Sequence, residues 1–90
     1  PIESRIITVA DVLDAMSTDR PYRKALSMET VLDHLERGKG IFFDEKAVDA
    51  VLALQNRGDG SFRFFLQMFR LKNKIEKEDY STLLKEYGKS

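Results

Sequence analysis

Residues 2–16 read IESRIITVADVLDAM, and this stretch decides the fold. Five of its apolar side chains recur every three or four residues, which is the spacing of one face of an α-helix. They are Ile2, Ile6, Val9, Leu13 and Met16. Ile7, Ala10 and Val12 widen this face until the helix is apolar on most sides, so we expect a largely buried helix.

Helical patterns continue through the rest of the chain, and no stretch alternates as a strand does. The expected boundaries are a loop at Pro21, an N-cap at Ser27, an end at Gly38, an N-cap at Asp44, a stop at Gly58-Asp59-Gly60 and a new start at Ser61. A last helix is expected to carry Tyr80, Leu83, Leu84 and Tyr87. The sequence therefore predicts an all-α bundle of about five helices.

The composition excludes several classes of protein. The 15 basic and 15 acidic side chains give a formal net charge of zero, which argues against a nucleic-acid or membrane-surface partner. Without cysteine, and with a single histidine, the chain has no disulfide scaffold, thiolate zinc site or imidazole cage of its own. No apolar run is long enough to cross a membrane, so we expect a cytoplasmic protein. Because the chain starts at Pro1, we expect it to be cut from a longer protein.

Asp11 and Asp14 lie one turn apart in the first helix, where a buried carboxylate needs a partner. Two interpretations stay open from the residues alone. Either carboxylate could cap a neighbouring helix or pair with Arg20 or Arg23. Alternatively, one of them is an oxygen ligand for a divalent metal.

The stretch DRPYRK, residues 19–24, gathers three cations beside an aromatic ring. If Pro21 begins a turn, Arg20 and Arg23 can face the same way, and two guanidinium forks suit phosphate oxygens. The other interpretation is a solvated loop with internal salt bridges.

The helix from Ser61 carries two apolar stripes on roughly opposite sides. One stripe is Phe62, Phe65, Leu66 and Phe69, and the other is Phe64, Met68 and Leu71. One stripe is expected in the core. The second is either covered by helices outside this chain or forms an interface, such as a homodimer through the helix between Phe62 and Phe69.

Residues 5–25 closely resemble the closing segment of HD-GYP domains, bacterial metal-dependent phosphodiesterases of the HD phosphohydrolase superfamily. The resemblance rests on Ala-Asp-x-x-Asp-Ala at residues 10–15 and Arg-Pro-Tyr-Arg at residues 20–23, in the family's order and distance. After this segment the family has a Gly and then Phe-Asp, and Gly40 through Asp44 resemble that continuation. On this basis residues 1–57 are the C-terminal segment of such a domain, and residues 58–90 are a helical extension.

The resemblance implies a role for individual residues. Asp11 stands at a metal-ligating aspartate, Asp14 at a supporting position, and Arg20 and Arg23 at positions that contact substrate phosphates. The implied reaction is hydrolysis of cyclic di-GMP in bacterial signal transduction, with iron or manganese bound by the complete domain. The implied partners are the cyclic dinucleotide and an upstream HD-GYP segment.

Much of the family's site is missing from these 90 residues. The His-Asp pair, the other histidine ligands and the Gly-Tyr-Pro loop do not occur, and His34 is expected to be an ordinary surface residue. We therefore expect this chain alone to bind no metal and to be inactive. A second hypothesis is a non-catalytic helical module, regulatory or dimerising, that keeps the family's scaffold.

Overall fold

The computed structural model describes residues 1–88, and all of their side chains except those of residues 78–83. In this part of the chain there are four α-helices and no strand. The helices are α1 (Ile2–Ser17), α2 (Met28–Gly38), α3 (Glu45–Arg57) and α4 (Ser61–Tyr87). The predicted all-α class is confirmed.

The stretch after Ser61 differs from the prediction, because a single helix of 27 residues replaces the two that we expected. No glycine or proline occurs between Phe62 and Tyr87, so nothing in the sequence stops the helix. Tyr80 and Leu83, two of the apolar residues assigned to the last helix, have side chains outside the described set. Leu84 and Tyr87, the other two, are exposed.

Local signals define the ends of α2 and α3 as predicted. The Ser27 hydroxyl accepts a hydrogen bond of 3.2 Å from the Thr30 N–H, and the Asp44 carboxylate accepts one of 3.0 Å from the Ala47 N–H. Helix α2 ends at Gly38, where an added Cβ would lie 2.7 Å from the ring of Phe43. Only glycine leaves room for this close approach.

The core lies between α1 and the other three helices, all of which pack against it. Its buried side chains come from every helix: Val9 and Leu13, then Val31 and Leu35, then Ala47, Val48 and Val51, then Leu66. The alternating caps and turns bring these short apolar stripes together around α1. No helix in the described part of the chain is long and apolar enough to span a membrane.

One side of α1 does not fit the expectation of a helix buried nearly all round. Ser4, Thr8 and Asp11 are exposed and lie at helical spacing, so they form an open face of α1. Ala10 is buried and Ile7 and Val12 are half-buried, so these residues do widen the apolar face of α1. The widened face does not surround the helix. This open face removes the conflict that a buried Asp11 would have caused.

Candidate functional site

Asp11 lies on the open face of α1. Its carboxylate is exposed, and it makes no hydrogen bond or ion pair with the described residues. The expectation that Asp11 caps a helix or pairs with an arginine is therefore wrong for this residue. The described residues contain no group of three or more His, Asp or Glu side chains that could hold a metal ion. Asp11 offers one carboxylate ligand, and this part of the chain does not complete a metal site around it.

Asp14 has a different environment, one turn further along α1. Its side chain is 23% exposed, and its Oδ1 accepts a hydrogen bond from Nε of Arg70 on α4. This ion pair joins two residues that are 56 positions apart in the sequence. The interpretation that Asp14 pairs with Arg20 or Arg23 is wrong. The sequence analysis did not identify Arg70. Its position next to Phe69, in a stripe expected to be in the core, was the only indication that it could lie near another helix.

The loop between α1 and α2 is a turn fixed by its own hydrogen bonds. The Arg20 N–H donates to the Arg23 carbonyl at 2.7 Å, and the Arg23 N–H donates back at 3.2 Å. Pro21 occupies the second position of this four-residue turn, where its ring favours the backbone angle that the turn needs. The Asp19 carboxylate accepts a further hydrogen bond of 2.7 Å from the Ala25 N–H, which ties the two ends of the loop together. The arginines are therefore presented on a rigid element.

The guanidinium group of Arg23 is largely engaged in hydrogen bonds, two of them with the end of α1. It donates to the carbonyls of Ala15 and Lys24, both at 2.9 Å, and to that of Met16 at 3.4 Å. The last carbonyls of a helix have no partner inside the helix and carry partial negative charge. Arg23 thus holds the loop against α1, and at most two of its five N–H donors remain for a ligand.

Arg20 is more accessible than Arg23. Its side chain is exposed, and its one hydrogen bond among the described residues runs from Nε to the Ala15 carbonyl at 3.5 Å, the long end of the range. Tyr22, at the tip of the same turn, is 83% exposed. Both Arg20 and Arg23 therefore contact the end of α1, and of the two only Arg20 keeps most of its donors unengaged.

Arg5 links the start of α1 to α3 in a contact that the sequence analysis did not anticipate. Its Nη1 lies 3.2 Å from Oδ1 of Asp44, whose other oxygen caps α3. One carboxylate thus stabilises the helix start and the packing of two helices. This contact helps to fix the orientation of α1, which carries Asp11.

A groove of about 560 Å³ opens beside the Asp14–Arg70 pair. Its lining combines apolar side chains with two guanidinium groups: Ser17, Met28, Phe62, Arg63, Leu66, Gln67 and Arg70. Arg70 is already neutralised by Asp14, so Arg63 is the cation that the groove has available. The sequence analysis did not predict this groove, because its walls come from α1, α2 and α4.

Two pKa shifts mark local hydrogen bonds away from the loop. The hydroxyl and backbone N–H of Ser61, helped by Arg57, lower the pKa of Asp59 from 3.8 to about 2. The carboxylate of Asp49, 2.9 Å from the Lys39 ammonium, raises the pKa of Lys39. The first contact stabilises the start of α4, and the second joins the loop after α2 to α3.

His34 lies on the exposed surface of α2, as predicted. Its ring meets that of Phe43 edge-on, with the centroids 5.8 Å apart. The contact packs the loop after α2, and His34 belongs to no group of three or more potential metal ligands among the described residues.

Two curated proteins are similar to part of this chain. The cyclic di-GMP phosphodiesterase response regulator RpfG of Xanthomonas campestris pv. campestris is 46% identical over 52 residues, which is 58% of this chain and 14% of that protein. A cyclic di-GMP phosphodiesterase of Vibrio cholerae serotype O1 is 33% identical over 57 residues, 63% of this chain and 12% of that protein. No family model and no solved structure matches. The chain thus aligns with about one seventh or less of the length of these two relatives, both named as cyclic di-GMP phosphodiesterases.

Proposed function

We propose that this chain is the C-terminal part of an HD-GYP-type phosphodiesterase domain that hydrolyses cyclic di-GMP in bacterial signal transduction. The observation that carries the proposal is the 46% identity over 52 residues to a protein named as such a phosphodiesterase. The motifs at residues 10–15 and 20–23 support it. A cytoplasmic location follows from the proposal, because a second messenger is consumed inside the cell.

Asp11 is the residue that we assign to the metal. In a complete domain, bound iron or manganese would lower the pKa of a bound water molecule and offset negative charge on the phosphate oxygens. Asp11 fits as one oxygen ligand, since its carboxylate is exposed and unengaged by the described residues. The described residues do not form a full ligand set. In this proposal the remaining ligands come from an HD-GYP segment that the resemblance implies. No step that we assign to this chain passes through the metal.

Arg20 and Arg23 take different roles in this proposal. Arg20 binds a substrate phosphate, because most of its guanidinium donors are unengaged and the turn beneath it is rigid. Arg23 positions that turn by binding the end of α1, and it adds at most a secondary contact to the phosphate. Asp14 supports Asp11 indirectly, since its pair with Arg70 holds α1 against α4.

A chimaera tests this assignment. The aligned 52 residues of the Xanthomonas protein are replaced by those of this chain, and hydrolysis of cyclic di-GMP is measured. We expect activity in the chimaera and none in the isolated 90 residues. We expect Asp11→Asn to abolish the activity. Arg20→Ala should raise KM at least tenfold with a smaller change in kcat, because phosphate binding loses a charged hydrogen bond.

The matched control is Glu36→Gln, which neutralises an exposed carboxylate on α2. We expect it to leave both kinetic constants unchanged. An active chimaera whose rate survives Asp11→Asn would disprove the role of Asp11.

The second hypothesis is a non-catalytic helical module that keeps the scaffold of the family. It predicts a folded chimaera that binds cyclic di-GMP and does not hydrolyse it. The same assay, combined with a binding measurement, therefore separates the two functions.

A further inference from the structure

Tyr22 lies at the tip of the turn between α1 and α2, and the fold gives no reason for an aromatic ring there. Its side chain is 83% exposed. It makes no side-chain hydrogen bond and no ring–ring contact with the described residues. The ring therefore adds little to the packing of this part of the chain, and both of its faces are open to a ligand.

The backbone that carries Tyr22 is fixed on both sides. Arg20 and Arg23 exchange two backbone hydrogen bonds across the turn, at 2.7 and 3.2 Å. Pro21, the preceding residue, has a φ angle that its own ring restricts. The guanidinium group of Arg23 attaches the turn to the end of α1. A ligand that binds Tyr22 therefore has to order only two side-chain torsions, which keeps the entropic cost of binding low.

The surroundings of the ring in the sequence are cationic. Arg20 lies two residues before Tyr22 and Lys24 two residues after it, and both side chains are exposed. Asp19, the nearest acidic residue in the sequence, accepts a hydrogen bond from a backbone N–H of the same loop. An aromatic face beside unneutralised cations favours a ligand that is both aromatic and anionic.

A purine nucleotide combines these two properties in one unit. In cyclic di-GMP each phosphate is joined through one ribose to a guanine, so a phosphate bound by Arg20 brings a guanine to within one sugar of that arginine. The Cα atoms of Arg20 and Tyr22 are at most about 7 Å apart, because only two residues of chain separate them. The two side chains can therefore engage the phosphate and the base of the same nucleotide.

We propose that Tyr22 is a base-stacking residue, whose ring packs against one guanine of cyclic di-GMP while Arg20 binds the adjoining phosphate. This inference rests on the proposed function and adds to it a residue that binds the purine part of the substrate. Stacking acts on the base and not on the bond that breaks, so it contributes to KM more than to kcat. Since every purine has an aromatic face, Tyr22 does not distinguish guanine from adenine.

The test uses the Xanthomonas chimaera. Tyr22→Leu keeps an apolar side chain without an aromatic face, and we expect it to raise KM for cyclic di-GMP about fivefold or more with kcat changed less than about twofold. Tyr22→Phe restores the ring and should bring KM back to within about twofold of the original value. Phe42→Leu is the matched control, because Phe42 is an aromatic residue that is 80% exposed in the loop after α2. It should leave both constants unchanged.

Inorganic phosphate separates loss of stacking from distortion of the loop. It is a competitive inhibitor that has no base, so its inhibition constant should rise in Arg20→Ala and stay unchanged in Tyr22→Leu. Thermal unfolding shows whether each variant keeps its fold. An unchanged KM in Tyr22→Leu, equal increases of KM in Tyr22→Leu and Tyr22→Phe, or a parallel loss of phosphate inhibition in Tyr22→Leu would overturn the proposal.

Failure of this inference is distinguishable from failure of the proposed function. A chimaera that hydrolyses cyclic di-GMP with the same KM in Tyr22→Leu would contradict the role of Tyr22 alone. A chimaera that binds cyclic di-GMP without hydrolysing it would contradict the proposed function. In that case Kd replaces KM as the readout, with the same expected ratios among the variants. A chimaera that neither binds nor hydrolyses cyclic di-GMP would overturn both.

Discussion

Residues 1–57 and helix α4 achieve their stability in different ways. The first three helices are short, and several of their ends are held by local hydrogen bonds, such as those of Ser27, Asp44 and Arg23. Helix α4 is more than twice as long as α2, and it is attached along one face and by the Asp14–Arg70 pair. Helix α4 also leaves an apolar stripe exposed, which consists of Phe64, Met68 and Leu71. A fixed loop suits binding of a small ligand, and an open stripe suits association.

The sharpest contrast between the two regions is that between Leu13, which is buried in the core, and Leu71, which lies on the exposed apolar stripe of α4. Leu13→Ala should lower the free energy of unfolding by about 2–5 kcal/mol, because Leu13 is fully buried and its removal leaves a cavity. Leu71→Ala should lower it by less than about 0.5 kcal/mol in dilute, monomeric protein, because Leu71 is half exposed. Urea unfolding followed by circular dichroism measures both values. Equal losses would mean that Leu71 belongs to the core.

The two arginines of the loop provide the next comparison. Arg23→Ala should cost about 1–3 kcal/mol of stability, since it removes charged hydrogen bonds from the last carbonyls of α1. Arg20→Ala should change stability by less than about 0.5 kcal/mol, because it loses one long hydrogen bond. Arg23→Lys keeps the positive charge but lacks the forked guanidinium group. Its loss of stability should therefore lie between those of Arg23→Ala and Arg20→Ala. If thermal unfolding shows a larger loss for Arg20→Ala, the two roles are reversed.

The link between the two regions is the Asp14–Arg70 pair. Asp14→Asn should cost about 1 kcal/mol or less, because Arg70 is 43% exposed and water screens the pair. A double-mutant cycle with Arg70→Gln isolates the coupling, which should shrink as sodium chloride is added. The same cycle between Asp14 and Arg20 should give no coupling. A measurable Asp14–Arg20 coupling would restore the pairing that the structure excludes.

Acidification tests the start of α4, and here we expect the smallest effect. Folding lowers the pKa of Asp59 from 3.8 to about 2, so its contribution to stability is complete above about pH 4 and is lost as the pH falls toward 2. The stability difference between wild type and Asp59→Asn should therefore shrink over that range. Urea titrations at a series of pH values measure it, and a difference that grows on acidification would have the wrong sign.

Local patterns predicted much of the fold. Ser27 and Asp44 were identified as caps because a side-chain oxygen followed by a helical stripe is a local signal. The core positions Val9 and Leu13 followed from the helical spacing of the first helix. The unbroken α4 could also have been predicted, since its sequence contains no stop signal. The apolar spacing of Tyr80, Leu83, Leu84 and Tyr87 suggested a separate last helix instead.

The candidate site could be predicted by residue type and less well by role. Residue type indicated that Asp11 or Asp14 could bind a metal and that Arg20 and Arg23 could bind phosphate. The choice of Asp11 came from the resemblance to HD-GYP domains. The environments of these residues depend on tertiary contacts: Arg23 differs from Arg20 because it reaches the free carbonyls of Ala15 and Met16. Arg70, distant in sequence, gave no comparable signal. The open face of α1 likewise depends on where the other helices pack.

The most direct test of the proposed function is the metal content of the purified Xanthomonas chimaera. We expect bound iron or manganese in the chimaera, loss of at least one metal equivalent in Asp11→Asn, and full occupancy in Arg20→Ala. Elemental analysis by mass spectrometry gives the number of metal ions per chain. Unchanged metal content in Asp11→Asn, or equal loss in both variants, would contradict the assignment of Asp11 to the metal and of Arg20 to the phosphate.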